Sequence, residues 1–417
     1  MRKKFFIGSV SEIFILKMLR RIKYIIFSLI LFIPLAILVL SFVNIGFNLY
    51  RVNKGINHSK MYHDLGKYYE TKITEVKLTK ENSSLLLDYH YKNGFDLTFK
   101  RKVPLDITAG DYLIYVYGSS PVVSKLSLHS EKVLFTNILE NKLNAGNKEK
   151  DYKVFNFGMT WMDSFAIEEM VQESLKFKKP GLMVCYYAGA VDYDLAYRAA
   201  GIRKKYYLFK AGFAEPVLNL SFLDIIPGFK KIRIDFIDWF INSYIEAPLI
   251  NLAQRFGLVY INPKLFKKYD ELIVKNFALN FRKIKALAVK NDIPLIFVTS
   301  LVNLEAKPFG PYQLTQDYYS RASRENNYRK KIELLIKAKD SEIFSGDIRP
   351  KSAAYNLINS LGNHQNNIYV FDLRKQLIDQ QFSFGYSHFY DYGHPRPKLN
   401  QLIADELYQF IKEENLN

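Results

Sequence analysis

YLIYVYGSSP, residues 112–121, and DYGHPRPKLNQLIADELYQFI, residues 391–411, decide how this chain is read. The first is a short apolar run ending in Gly118-Ser119-Ser120-Pro121. That is the pattern of a strand running through a tight turn into a helix, with Pro121 suited to a first helical turn. Ser120 then stands at the C-terminal edge of a sheet beside a helix N-terminus, where backbone N–H groups favour developing negative charge. The second stretch puts Asp391 and His394 on one turn ahead of a helix. Leu402, Ile403, Leu407, Phe410 and Ile411 recur along it at helical spacing. A serine hydroxyl becomes a useful nucleophile when a base takes its proton and a third group orients that base. Imidazole suits the task because its unperturbed pKa lies near neutrality. Read separately, Gly-Ser-Ser fits an ordinary strand-to-helix cap equally well, and Asp-Tyr-Gly-His fits a surface turn.

Working outward, the spacing predicts strands at Tyr112–Val116, Val154–Phe157, Leu182–Tyr186, Leu295–Thr299 and Ile368–Phe371. Each is a short apolar run of the kind buried on both faces of a parallel sheet. Helices are expected at Trp161–Phe177, Tyr269–Lys290 and Leu399–Lys412, giving the strand–helix alternation of an α/β fold. Before it, KITEVKL, SLLLDYHY and FDLTFKRKV alternate in strand fashion, with Asn93-Gly94 as a hairpin signal. A small β-rich lead-in over 51–109 therefore precedes a main domain over 110–417. Two stretches interrupt the rhythm. Residues 196–266 read as a lid, an insertion against a membrane or an ordinary helical excursion; 305–360 read as a polar, helix-prone insertion.

Together the two motifs resemble the SGNH (GDSL-like) hydrolase superfamily, whose serine follows the first strand and whose Asp-x-x-His precedes the last helix. The resemblance covers about 110–200 and 268–415, and its most specific piece is HFYDYGHPRPKLNQLIADELYQFI. It implies a flavodoxin-like three-layer fold with a parallel sheet. It makes Ser120 the nucleophile, His394 the base and Asp391 its orienter. The family's glycine after the second strand is matched by Gly158, whose N–H would join that of Ser120 in an oxyanion hole. The third block departs: Gly189-Ala190-Val191-Asp192 puts Val191 where an asparagine donor is usual, and the usual GDS is GSS. Ser119, Gly189 and Asp192 would line the site. His388 reads as structural.

From Tyr24 to Tyr50 no residue is charged, and Ile25–Val43 is almost wholly apolar. About 20 apolar residues span a bilayer as a helix, and no small-residue cleavage pattern follows, so 24–50 is expected to be an uncleaved anchor. Seven basic residues precede it, which keeps 1–23 cytoplasmic and the rest extracytoplasmic. The net charge of +18 first suggests nucleic acid, but residues 1–54 carry +8 of it, and the remainder has no long basic run. Nucleic acid is accordingly not an expected partner. Cys185 is the single cysteine, which excludes an internal disulfide or a cysteine-built zinc site; the histidines show no metal-ligand spacing. No metal or organic cofactor is implied. By analogy with anchored SGNH proteins of polysaccharide acylation and deacylation, the expected activity is a serine esterase or O-acyltransferase. Its substrate would be an acyl ester of an envelope glycan or glycolipid, and a membrane acyltransferase would be a partner. The other reading is a non-catalytic SGNH scaffold that binds glycan or supports such an enzyme.

Overall fold

The computed structural model describes residues 23–24, 27–28, 73–92, 96–108, 110–123, 131–146, 150–199, 263–308, 313–342 and 349–416. The expected anchor lies outside them apart from Tyr24, Phe27 and Ser28. Among the described residues, no helix is long and apolar enough to cross a membrane. Most of 196–266 also lies outside.

The alternating lead-in forms an antiparallel sheet of Ile73–Glu81 (β1), Ser84–Lys92 (β2) and Asp96–Pro104 (β3), in the order β1-β2-β3. Asn82, at φ 50°, supplies the left-handed residue of the tight β1–β2 turn. One face is apolar: Val76, Leu85, Leu87, Tyr89 and Val103 are buried against the main domain.

The main sheet is formed by Tyr112–Gly118 (β4), Tyr152–Asn156 (β5), Leu182–Tyr186 (β6), Leu295–Val298 (β7) and Ile368–Phe371 (β8). All neighbours are parallel, in the order β5-β4-β6-β7-β8. This is the flavodoxin-like order, with its switch point between β4 and β6. Alternate side chains enter different cores. Leu113, Tyr115 and Tyr117 face one cluster, while Ile114 and Val116 face the other. Both faces being buried is why these strands read as unbroken apolar runs.

Helices cover both faces. On the side of the lead-in lie Ser164–Phe177 (α3), Ala190–Ala199 (α4), Pro263–Lys290 (α5) and Ser352–Asn359 (α8). On the other lie Phe135–Gly146 (α2), Gln313–Ala322 (α6), Tyr328–Asp340 (α7), Leu373–Asp379 (α9) and Pro397–Glu413 (α10). Helical residues Ser120–Val123 (α1) follow β4. The three-layer parallel α/β architecture expected from the sequence is thus the one found. The 305–360 stretch is largely α6, α7 and α8, which pack into it. Three expectations shift. The helix expected from Trp161 begins at Ser164, because Asp163 caps it by accepting from the Ala166 N–H at 3.0 Å. The helix expected at Tyr269 begins at Pro263, and α2, α4 and α9 were not anticipated.

Candidate active site

The chain segments leaving the C-terminal ends of β4, β5, β6 and β7 enclose a cavity of about 140 Å³ at the switch point. Ser119, Ser120 and Pro121 line it from β4, Thr160 and Trp161 from β5, and Tyr187, Val191 and Asp194 from β6. Ser300 to Val302 line it from β7, Arg349 closes one side, and Asp391 to His394 enter from the turn before α10.

The turn is tightly built. The Asp391 carboxylate accepts the His394 Nδ1–H, with 2.8 Å to each oxygen, and also the backbone N–H groups of Gly393 and His394 at 3.1 and 2.9 Å. That tautomer leaves Nε2 with a lone pair, and His394 lines the cavity. The loop after β7 holds the turn from behind. Asn303, fully buried, donates its N–H to the Tyr392 carbonyl at 2.9 Å and its Nδ2 to the Asp391 carbonyl at 3.1 Å. Arg349 in turn donates to the carbonyls of Asn303, Leu304 and Ala306 and pairs with Glu342, both side chains being buried. Tyr186 accepts the Leu301 N–H on its hydroxyl at 3.0 Å, and Tyr355 donates to the Ser300 carbonyl at 2.9 Å. The wall on this side is therefore fixed by buried polar bonds rather than by a free loop.

Ser120 and His394 line the same cavity, and no hydrogen bond joins them. Ser119 is buried, and its hydroxyl has no hydrogen-bond partner among the described residues. The described part of the helix after Ser120 is Ser120–Val123.

The two glycines have another job than expected. Gly118 has no left-handed backbone; a Cβ there would meet Val122 Cγ2 at 2.3 Å and the Tyr186 carbonyl oxygen at 2.5 Å. At Gly158 a Cβ would meet Val122 Cβ at 2.8 Å. Together they form the socket for Val122, two residues after Ser120. Gly158 does not line the cavity, and its N–H donates to Asn156 Oδ1 at 2.9 Å instead of facing an oxyanion. Gly189 does adopt a left-handed φ of +83° at the entrance to α4, where Val191 presents an aliphatic side chain to the cavity. Asp192 is not a lining residue. Buried, it accepts from Ser164 Oγ at 2.5 Å, the Ser164 N–H at 3.1 Å and the Tyr187 hydroxyl at 2.7 Å, joining α4 to α3. His388 bonds Ser387 and packs on Phe382, outside the cavity.

Sequence reasoning missed Trp161, Asp194 and Arg349. Trp161 carries a φ of +65°, a conformation costing a non-glycine residue about 1–3 kcal/mol and concentrated at functional sites. Nothing in an aromatic side chain announces it. Asp194 lies one helical turn beyond Val191, a relation that i to i+3 spacing could have revealed.

No known family profile and no curated protein matches the chain. Among the solved structures it is similar to are esterases and GDSL-like lipases. An acetyl xylan esterase, AlAXEase, is 12% identical with a TM-score of 0.37, covering 72% of this chain and 99% of that one. A lipase/acylhydrolase from Enterococcus faecalis is 12% identical at 0.35, covering 72% and 96%. A GDSL-like lipase from Bacteroides thetaiotaomicron is 10% identical at 0.35, covering 75% and 92%. At such scores the reading of the site rests on this chain's own sheet order and geometry.

Proposed function

We propose that the protein is a serine esterase or O-acyltransferase in which Ser120 is the nucleophile, His394 the general base and Asp391 its orienting partner. The observation carrying this is the convergence of the three on one cavity, with the imidazole held through Nδ1 by a carboxylate that also caps its own turn. Ser120 Oγ attacks the ester carbonyl carbon as its proton passes to His394 Nε2. The tetrahedral intermediate collapses, and the same proton leaves with the alcohol. Water, or a sugar hydroxyl, then attacks the acyl-serine and gives up its proton to His394. The acid or the new ester departs, and Ser120 recovers its hydrogen. The Ser120 N–H, unpaired by position at a helix start, is the donor for the oxyanion. The volume of about 140 Å³ is close to that of a cavity holding one benzene-sized group. It therefore suits a short acyl group with the alcohol portion outside. An envelope glycan or glycolipid as that portion, and attachment through 24–50, fit the apolar N-terminal run and the basic, aromatic-rich chain.

A second reading, a glycan-binding scaffold for a membrane acyltransferase, is favoured by Val191. An oxyanion donor missing from a working hydrolase costs about 100- to 1000-fold in turnover. A fluorophosphonate probe on the detergent-solubilised full-length chain separates the two. The enzyme reading expects labelling that vanishes in Ser120→Ala and His394→Ala. Equal labelling in Ser120→Ala, or none in the unaltered chain, rejects it.

A further inference from the structure

The lead-in sheet does more than link the main domain to the N-terminal segment. Arg101, on β3, sends one guanidinium nitrogen, Nη1, into the loop behind the cavity. It lies 2.7 Å from the Gly158 carbonyl, 3.1 Å from the Asn156 carbonyl and 3.2 Å from Asn156 Oδ1. Two hydrogens are thus shared over three oxygens, and bonds from a charged donor are about twice as strong as neutral ones. From β2, the fully buried Tyr89 donates its hydroxyl to the Trp161 carbonyl at 3.4 Å.

Asn156 is where this reaches the nucleophile. Its Oδ1 takes the Gly158 N–H as well as Arg101, while its Nδ2 donates to the Val122 carbonyl at 3.1 Å and to Thr136 at 3.3 Å. Val122 belongs to the turn that carries Ser120. On the loop's inner edge, Phe157 and Met159 donate to the Val116 and Gly118 carbonyls at 2.8 and 3.3 Å. The loop between Asn156 and Trp161 is therefore pinned to the nucleophile strand on one side and to the lead-in sheet on the other, and its far end lines the cavity.

The geometry points to Arg101, supported by Tyr89, as a positioning residue: the lead-in sheet sets the Trp161 wall and the Ser120 turn through Asn156. The effect on turnover rests on the proposed serine chemistry; the holding of the loop does not. Both are read on the full-length chain. Trp161 and Trp239 are its two tryptophans, so a Trp239→Phe background makes Trp161 emission the direct report of the wall. Arg101→Ala is expected to shift that emission and to slow fluorophosphonate labelling about 10- to 100-fold, the effect of misplacing reacting groups by up to about 1 Å. With a model ester the loss falls on kcat and leaves KM nearly unchanged. Arg101→Lys restores part of both, since one ammonium can serve the oxygens that one nitrogen serves now. Lys100→Ala, beside it on the exposed face of β3, leaves both unchanged. If Arg101→Ala does not fold, Arg101→Lys and Tyr89→Phe decide by the same two readings. Unchanged Trp161 emission overturns the inference, whether or not labelling falls. Altered emission in a chain that never labels sustains the loop-holding role and rejects the serine chemistry instead.

Discussion

Gly118→Ala tests whether the Ser120 turn is seated as described. The added methyl would lie 2.3 Å from Val122 Cγ2 and 2.5 Å from the Tyr186 carbonyl oxygen. Carbon atoms rest about 3.5–4.0 Å apart, so more than about 1 Å of separation must be found. Neither neighbour can give it cheaply. Val122 is fully buried, with Gly158 against its other side, and Tyr186 is backbone of the central strand β6. Overpacking of this kind costs about 1–3 kcal/mol. The part of the shift passed to Ser120 costs up to about 100-fold in turnover, if it reaches about 1 Å. Denaturant unfolding and the rate of fluorophosphonate labelling read the two effects on the same protein. Adding Val122→Ala removes the shorter contact but not the carbonyl, so the double variant should recover stability in part. A Gly118→Ala chain as stable as the parent would refute the socket. One that is destabilised yet labels at the parental rate would refute its link to Ser120.

Asp391→Asn should slow labelling by about 10,000-fold with little loss of stability, because the amide cannot accept the Nδ1–H on both sides and favours the wrong tautomer; parental labelling would remove Asp391 from the mechanism. Glu342→Leu leaves Arg349 buried and unpaired, so unfolding free energy should drop by about 3–5 kcal/mol, whereas a denaturation midpoint near the parent's would contradict that burial. Burial lowers the Lys339 pKa from its usual value to about 8, against the pull of Asp340. Between about pH 8 and 10.5 the unfolded chain binds the proton and the folded one does not, so this group's contribution to stability rises with pH across that window. Comparing Lys339→Met with the parent from pH 8 to 10 isolates the effect: the parent should gain on the variant, and parallel curves would refute it.

The strands of the main sheet were legible because burial on both faces leaves a continuous apolar signature that needs no partner to interpret. The Ser120 and Asp391–His394 segments could be singled out because each places its candidate residues within four positions, and the cavity brings them together. What stayed hidden depends on contacts across the chain. Asn156 reads as one more polar residue at a strand end until Arg101, Gly158 and Val122 meet on it. Gly118 was read for a tight turn and Gly158 for its N–H, yet both are needed for space, which only the packed Val122 reveals. Asp192 beside Val191 invited a place in the cavity, but α3 claims its carboxylate.

Cys185 lies within β6, enclosed on both sides by the sheet's neighbours, and burial pushes its thiol far above the ordinary cysteine range. Thiolate is the form that exchanges, oxidises and alkylates, so the folded protein offers its surroundings no reactive sulfur. Its fold has no disulfide to gain in an oxidising compartment and none to lose in a reducing one. Thiol–disulfide exchange should therefore leave stability and assembly unchanged, and a cysteine introduced at the cavity rim would be the sole thiol open to it.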